Sequence, residues 1–371
     1  MSSELSSPTP APATVAIRTD GTSLIGLGHV MRCLTLANEL AARGARVDFV
    51  LRAPTAALVT LVERHGHRVH TIARALPVDE RSDPAPEMAS WSSEEQELDA
   101  AATVTALRGL RYDLVVVDHY RLDARWERKA RAWARRCLVI DDLANRPHDS
   151  DLLLDQTVGR AANDYRTLLP PASELRLGCG YALLRPEFAA ARAQALPQRA
   201  LRRASVARVL VSLGGTDPRA ITAEALAVAL GLPGQPAVDV VVGSGAPSLP
   251  ALRQLASETP RVALHVDSQE MARLMSVADL AVGAAGTTSW ERCCVGLPTV
   301  ALILAANQRA VGEQLDALGA ATCVHDLAAL EAGLRALADD AEKRATMSER
   351  AAALVDGQGA TRIADALALL P

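Results

Sequence analysis

The chain has 371 residues, of which 49% are hydrophobic and 22% are charged. Such a chain can bury enough apolar surface for two packed domains, which argues against extensive disorder. Its net charge of −4 leaves no basic excess to neutralise nucleic-acid phosphates, so we expect no nucleic-acid partner.

The composition also argues against membrane and metal roles. No apolar run reaches the ~20 residues that a membrane span requires. Residues 1–13 contain no apolar signal-peptide region, so we expect a cytoplasmic protein without stable membrane association. The six cysteines form no C-x-x-C pair and show no zinc-site spacing. We therefore predict reduced thiols, no metal site and no cofactor.

The first predicted elements follow a Ser- and Pro-rich segment, residues 1–13, for which we predict a disordered tail. A β-branched strand begins at Thr14, a Gly-rich loop runs from Asp20 to Gly28, and a helical pattern covers 29–43. The run VDFVLR is the second strand. This order of strand, loop, helix and strand predicts a parallel, doubly wound sheet.

The alternation of strands and helices continues along the chain. We predict strands at 68–72, 114–120, 137–142 and 151–156 and helices at 56–64, 94–108 and 124–136. A long Pro- and acid-rich loop at 76–93 has no assigned role.

A second series of strand, Gly-rich loop and helix begins at Arg208. We place the domain boundary in the Ala- and Arg-rich stretch 189–207. This gives an N-terminal domain over 14–195 and a C-terminal domain over 205–371, whose last helix either stays there or returns to the N-terminal domain. The predicted fold class is α/β, with two Rossmann-like, doubly wound parallel-sheet domains facing a central cleft.

Ligands of doubly wound sheets bind beyond the carboxyl ends of the strands, and the first such loop carries a candidate base. Gly26 and Gly28 allow close backbone approach, but the third glycine of a dinucleotide fingerprint would fall on Met31. His29 lies at the predicted helix start, where the helix dipole favours a neutral ring suited to general-base catalysis. The alternative is a helix-capping or core histidine.

Polar side chains also follow two apolar strands. Asp118, His119 and Tyr120 end one strand, and Asp141 and Asp142 end the next. Buried polar groups must be paired or meet a ligand. We expect Tyr120 to reach substrate, whereas a structural network is the alternative for the other four and is favoured for the last two.

Two loops of the C-terminal half are suited to phosphate. Ser212–Pro218 contains a Gly-Gly turn before a predicted Pro-started helix, and Gly283–Glu291 is another Gly-rich loop with two threonine hydroxyls. Glu291 has the position to accept both hydroxyls of a ribose, and Asn307 and Gln308 open the following helix. The alternatives are tight turns without a ligand and a helix-terminal charge.

Other nucleotide and hydrolase motifs do not occur. The sequence has no Walker lysine motif and no G-x-S-x-G. The one D-x-D, Asp149–Asp151, precedes a strand, which is a poor place for a metal–diphosphate site.

Taken together, these loops resemble one family, the UDP-2,4-diacetamido-2,4,6-trideoxy-β-L-altropyranose hydrolases of pseudaminic acid biosynthesis. The resemblance runs from about Ala16 to Arg362. The C-terminal domain alone is similar to the peptidoglycan GlcNAc-transferase family, which has the GT-B fold. The resembling segments are, in chain order, GLGHVMRCLTLANEL, VVVDHY, IDDLANRPHDSDLLLDQ, GCGYALLRPEF, VLVSLGGTDP and GAAGTTSWERCCVGLPTVAL.

The resemblance implies hydrolysis at the anomeric carbon with inversion and release of UDP, with His29 as the catalytic base. It matches Tyr120 to the tyrosine of the family's Asp-His-Tyr motif and puts uracil against the backbone of Leu264–Val266. The implied UDP site comprises Gly214, Gly215, Thr216, Asp217, Val266, Gly286, Thr287, Thr288, Glu291, Asn307 and Gln308. We expect the sugar to meet Arg18, Asp20, Gly26, Gly28, Arg32, Asp118, Tyr120 and Arg185.

Three other functions stay open: a GT-B UDP-sugar glycosyltransferase, a non-catalytic nucleotide-sugar binding protein and a hydrolysing epimerase. A transferase needs an acceptor site, and a binding protein needs no base. In each case the partner is a small-molecule UDP-sugar. The configuration and N-acyl groups of the sugar and the oligomeric state are not fixed by these residues.

Overall fold

The computed structural model describes residues 12–21, 28–72, 90–201 and 205–367. These residues form two parallel sheets with helices on both faces, which confirms the predicted fold class. The predicted tail up to residue 11, Gly26 and most of the 76–93 loop lie outside the described residues.

The N-terminal sheet has seven strands in the order β3-β2-β1-β4-β5-β6-β7. They are β1 (Thr14–Thr19), β2 (Arg46–Arg52), β3 (Arg68–Ile72), β4 (Tyr112–Asp118), β5 (Ala134–Ile140), β6 (Leu152–Asp155) and β7 (Glu174–Leu177). The helices of this half are α1 (Gly28–Ala42), α2 (Ala56–Arg64), α3 (Ser93–Ala106) and α4 (Ala124–Ala130), and α5 (Pro186–Leu201) follows the sheet.

The C-terminal sheet has six strands in the order β10-β9-β8-β11-β12-β13. They are β8 (Arg208–Ser212), β9 (Ala237–Val242), β10 (Val262–Val266), β11 (Leu280–Ala284), β12 (Thr299–Leu302) and β13 (Thr322–Val324). The helices are α6 (Thr222–Leu230), α7 (Leu249–Glu258), α8 (Met271–Val277), α9 (Thr288–Cys294), α10 (Arg309–Ala317), α11 (Leu327–Asp339), α12 (Ala341–Leu354) and α13 (Gly359–Leu367).

The strand orders fix where each half presents its loops. In the first sheet the chain runs outward from β1 to β3 and then restarts beside β1 with β4; in the second it runs from β8 to β10 and restarts beside β8 with β11. A crevice opens at such a switch point, outside the carboxyl ends of the two strands. The loops after β1, β4, β8 and β11 are therefore the natural ligand positions.

Strand β4 shows why these runs form central strands. Leu114 and Val116 pack into one apolar cluster with α1, while Val115 and Val117 pack into a second cluster on the other face. A strand covered on both faces needs consecutive apolar residues, as this run has. Strand β4 is thus buried along most of its length, and its polar residues come at its carboxyl end.

Three local predictions need correction. The predicted helix 124–136 ends at Ala130, because Ala134–Arg136 pair with β4 as the start of β5. Strand β7 was not predicted; it is short, carries two charged residues and pairs with β6 at the sheet edge. The helix after the Gly-Gly loop begins at Thr222 rather than at Pro218.

Two segments pass between the halves. Helix α5 crosses the predicted boundary at residues 195–205 and packs against α8 and α9 of the second half. Helix α13 returns to the first half, where it packs against α1. Its Ile363 and Leu367 are fully buried in the apolar cluster that contains α1.

Candidate active site

The N-terminal switch point brings His29 and Asp118 together. His29 is the second residue of α1, and Asp118 ends β4. The His29 Nδ1 atom lies 2.5 Å from an Asp118 carboxylate oxygen, while Nε2 has no hydrogen-bond partner among the residues that the structure describes. The side chain is 8% exposed. One ring nitrogen is therefore fixed by a carboxylate and the other is left for a ligand, although the predicted neutral state of the ring stays a prediction.

Arg32 fixes the carboxylate that holds His29. Its Nε and Nη2 donate to the two oxygens of Asp118 at 2.7 Å each, and its Nη1 donates to Asp142 at 2.6 Å. Burial would raise the pKa of Asp118, but the charge of Arg32 and the hydrogen bonds from Arg32 and His29 hold it well below its usual range. Arg32 and Asp118, both predicted to bind sugar, are thus joined to His29 in one hydrogen-bonded unit.

Tyr120 lies against the candidate base, and its expected contact with substrate stays a prediction. Its ring meets the His29 ring edge-on, with centroids 4.5 Å apart. Burial raises the pKa of the Tyr120 hydroxyl, so it stays protonated at neutral pH. The phenol forms one wall beside the His29 ring.

Arg18 and Asp20 belong to one buried hydrogen-bonded network beside the site. Arg18 has no exposed surface, and its guanidinium is shared between Asp20 and Asp99 of α3. Asp20 also accepts from the backbone N–H of Arg52 at 2.8 Å and from His119 at 3.1 Å. The guanidinium of Arg18 is thus engaged in holding the residues beside His29, and its contact with the sugar stays a prediction.

Two more expected network residues are structural. His119 Nδ1 accepts from the backbone N–H of Arg121 at 3.1 Å, so its Nε2 carries the hydrogen donated to Asp20. Asp141 accepts from the Tyr165 hydroxyl at 2.9 Å and pairs with Arg146 at 2.9 Å. Both are buried and fully engaged, in line with the structural alternative.

The Gly-Gly loop after β8 presents backbone at the second switch point. Gly214, Gly215 and Thr216 are exposed, and Gly214 has φ of 114°, which only glycine adopts without strain. Asp217 is 3% exposed and accepts from the backbone N–H groups of Ile221 and Thr222 at 3.0 and 3.2 Å. Its carboxylate caps the start of α6 and shapes the loop, and its contact with UDP stays a prediction.

The loop after β11 faces the first half across the cleft. A Cβ placed on Gly28 would lie 3.5 Å from the Thr287 hydroxyl oxygen, so the start of α1 and this loop approach each other closely. Gly286 and Thr288 are partly exposed beside it. The candidate base and the candidate phosphate loop therefore share one gap.

Glu291 and Arg185 lie together at the same gap. Nη2 of Arg185 and Oε1 of Glu291 are 4.0 Å apart, and Arg185 also pairs with Glu187 at 2.9 Å. Burial raises the pKa of Glu291 to about 7, against the opposing charges of Arg185 and Arg292. Near neutral pH this carboxyl is part-protonated, and it can both accept and donate hydrogen bonds.

The remaining predicted UDP residues also follow or lie at the carboxyl ends of strands in the second sheet. Gln308 accepts from the backbone N–H of Leu304 at 2.9 Å, and its amide nitrogen is 3.7 Å from the Cβ position of Gly286. Val266 ends β10 and is partly buried. Asn307 lies in the short turn of 3₁₀-helix at Ala306–Gln308.

Two residues near the site were missed. Asp99, the buried hub that also accepts from the Trp126 indole at 2.9 Å, lies inside a polar helix where nothing in the pattern marks it. Arg292 is 3% exposed beneath the Thr287 loop; its signal was a charge on the apolar side of a short helix. Among the described residues no group of His, Cys, Asp or Glu side chains is placed to hold a metal ion.

The fold is shared with solved sugar-nucleotide enzymes. MurG of Acinetobacter baumannii matches 97% of this chain and 100% of its own, with a TM-score of 0.67 and 15% identity. The chain has the GT-B fold. UDP-GlcNAc 2-epimerase of Neisseria meningitidis, solved bound to UDP-GlcNAc, matches 95% of this chain and 99% of its own, with a TM-score of 0.58 and 14% identity.

Sequence comparison confirms the predicted resemblance within this GT-B group. The UDP-2,4-diacetamido-2,4,6-trideoxy-β-L-altropyranose hydrolase of Campylobacter jejuni is 25% identical over 297 residues, which cover 80% of this chain and 90% of the hydrolase. The spore coat polysaccharide biosynthesis protein SpsG of Bacillus subtilis is 29% identical over 201 residues, covering 50% of this chain and 56% of SpsG. No protein-family model matches the chain. No helix in the described ranges is long and apolar enough to cross a membrane.

Proposed function

We propose that this protein hydrolyses a UDP-linked 2,4-diacetamido-2,4,6-trideoxy sugar at its anomeric carbon, with inversion, and releases UDP and the free sugar for nonulosonic acid biosynthesis. The observation that carries the proposal is His29, with Nδ1 held by Asp118 at 2.5 Å and Nε2 unpartnered among the described residues. It lies next to Gly28, where an added Cβ would be 3.5 Å from the Thr287 hydroxyl oxygen of the other half. The resemblance to the Campylobacter hydrolase supports the same reaction.

In this proposal His29 acts as a general base. The Nδ1–H group donates to Asp118, so Nε2 is the nitrogen that takes a proton from water. The water oxygen forms a bond to C1 on the face opposite the nucleotide. The bond between C1 and the diphosphate oxygen breaks, and its electron pair leaves with UDP, a stable anion that needs no proton. Asp118, held as a carboxylate by Arg32, stabilises the imidazolium that forms.

The second half receives the nucleotide in this proposal. The exposed backbone at Gly214–Thr216 and the hydroxyls of Thr287 and Thr288 meet the diphosphate, where donors stabilise the charge that grows on the leaving group. Glu291, with a pKa raised to about 7, meets the ribose hydroxyls. The sugar then lies between this loop and His29.

The direct test measures turnover of the candidate UDP-sugar by the His29→Asn variant, with ¹H NMR used to monitor the reaction. We expect kcat to fall by about 10²–10⁴, the usual contribution of a general base. Binding of UDP, measured by calorimetry, is expected to stay within twofold, because the variant leaves the second half untouched. Turnover at the wild-type rate would remove His29 from the role of base.

A second measurement identifies the bond that is cleaved. In ¹⁸O-labelled water the label is expected on the sugar and not on UDP, since water attacks carbon. Label on UDP would mean attack at phosphorus and a different reaction.

Glycosyl transfer is the second candidate, favoured by the overall likeness to MurG. A hydrolase releases UDP from the donor in water alone, whereas a transferase requires an acceptor. Release without acceptor therefore excludes an obligatory transferase, and binding without any release would identify a binding protein. Deuterium at C2 of the product sugar after reaction in D₂O would identify a hydrolysing epimerase.

A further inference from the structure

Arg292 is a buried cation beneath the Thr287 loop. It lies in α9 and is 3% exposed. Its Nη2 donates to the Ala284 carbonyl at 2.7 Å and to the Ser289 hydroxyl at 3.0 Å, and its Nη1 donates to the Thr288 hydroxyl at 3.0 Å. Its Nε is buried without a hydrogen-bond partner in the described part of the chain. Its partners flank the loop that faces Gly28: Ala284 ends β11, and Thr288 and Ser289 begin α9.

The charge of Arg292 lacks the ion pair that the buried Arg18 and Arg32 have. Arg18 pairs with Asp20 and Arg32 pairs with Asp118, whereas no carboxylate in the described ranges lies within ion-pair distance of Arg292. An arginine side chain does not lose its proton in proteins. A buried guanidinium bonded only to neutral oxygens is costly, and an anion brought to the loop above it offsets that cost.

The neighbouring strand leaves room for this cation. A Cβ on Gly283, in β11, would overlap Cζ of Arg292 and come within 2.5 Å of its Nη1. Only glycine at this buried strand position lets the guanidinium reach the end of the sheet. Gly283 thus leaves the space in which the guanidinium of Arg292 places a positive charge at the carboxyl end of β11.

We propose that Arg292 is a positioning residue for the diphosphate of the nucleotide: its buried charge is compensated when the anion binds at the Gly286–Thr288 loop. This inference rests on the proposed function, because it presupposes that the second half binds UDP. Arg292 acts through Thr288. Because that hydroxyl oxygen accepts from the guanidinium, its own hydrogen is directed away and is free to be donated to a phosphate oxygen.

The test compares UDP with uridine, which has no phosphate, by calorimetry on the full chain. In Arg292→Met we expect UDP to bind about 10–30-fold more weakly, the size of one charge interaction at partly buried range. Uridine is expected to bind within twofold of wild type. Arg292→Lys keeps the charge and is expected to lose less than Arg292→Met. Arg335→Met, an exposed arginine paired with Glu331, is the matched control and leaves both affinities unchanged.

Gly283→Ala provides a second variant if Arg292→Met does not fold. The added methyl group displaces the guanidinium, so UDP affinity is expected to fall while uridine affinity stays. In an Arg292→Met background the same alanine should then have no further effect on UDP.

The outcomes separate this inference from the proposed function. Equal loss of UDP and uridine binding, or unchanged UDP binding, overturns the role of Arg292 while the hydrolase proposal stands. A wild-type protein that binds neither UDP nor inorganic pyrophosphate overturns both.

Discussion

The two sides of the cleft share the same sheet topology but present different kinds of chemical group. Around His29 the first half places charged side chains that compensate one another, with Arg18, Arg32, Asp99 and Asp118 all buried in ion pairs. The second half presents glycine backbone and hydroxyls above Arg292, which has no ion pair within the described ranges. A base must be held in one orientation, which requires a network in which every charged group is paired. A site for a leaving anion instead requires a positive charge that has no ion-pair partner until the anion binds.

The largest effect is expected where the network meets the base. Asp118→Asn keeps a hydrogen-bond acceptor for His29 but removes the charge that stabilises its imidazolium, so we expect kcat to fall by about 10²–10⁴. The affinity for UDP should stay within twofold. Steady-state kinetics and calorimetry measure the two quantities.

Asp142→Asn is the matched control for that variant, because it removes the other carboxylate of Arg32 without touching His29. It is expected to cost less than tenfold in kcat. Similar kcat values for Asp118→Asn and wild type would show that the pairing with His29 does not serve catalysis.

The next effect concerns stability. The charges of Arg18 and Arg52 hold the pKa of the buried Asp99 carboxyl at about 2, despite a burial that raises it. Asp99→Asn leaves both guanidinium groups without this partner, which is expected to lower the free energy of unfolding by about 3–5 kcal/mol. Urea unfolding followed by circular dichroism measures this.

Asp365→Asn removes a carboxylate that is 64% exposed and pairs with Arg43, so it should change the free energy of unfolding by less than about 1 kcal/mol. If the two variants unfold at the same urea concentration, the first half is not held by its buried ion pairs.

The smallest effect is a pH dependence in the second half. Burial raises the pKa of Glu291 from 4.5 to about 7, so the folded protein keeps a proton that the unfolded chain loses. Stability from this group is complete below pH 4.5 and is lost as the pH rises to 7, by at most about 3 kcal/mol. Thermal unfolding of wild type and Glu291→Gln across this range should show the decline only in wild type.

Glu331→Gln, an exposed i,i+4 partner of Arg335, is the control and should follow the wild-type curve. Parallel curves for wild type and Glu291→Gln would mean that this carboxyl is solvated and ionised throughout, and would weaken its assignment to the ribose.

The fold could be predicted because its signals are local. Helix α2 and strand β3 have the predicted bounds, since a 3.6-residue period and a β-branched run mark them clearly. The helix prediction over Ala134–Arg136 was wrong because pairing with β4 outweighs the helical preference of Ala and Arg. The edge strand β7 has too little apolar character to be recognised.

The location of the site could be predicted from the sequence, but the hydrogen-bond partners of its residues could not. The positions of His29 and Tyr120 follow from their places at strand and helix ends, and the structure brings them into ring contact. The partner of Arg18 lies 81 residues away on α3, and that of His29 lies 89 residues away. Such pairings depend on tertiary packing, which is why Arg18 was expected at the sugar and is found buried.

The return of α13 to the first half has a consequence for motion. The chain passes between the lobes before α5 and again after Val355, and the two passages lie side by side: Arg362 donates to the Gly180 carbonyl at 2.7 Å. One lobe can therefore move relative to the other only if backbone torsions change in both passages together. Because α13 packs on α1, and Arg43 beyond the C-terminal end of α1 donates to the Thr361 carbonyl at 3.2 Å, that pivot is attached to the helix that bears His29, at the end opposite to the base.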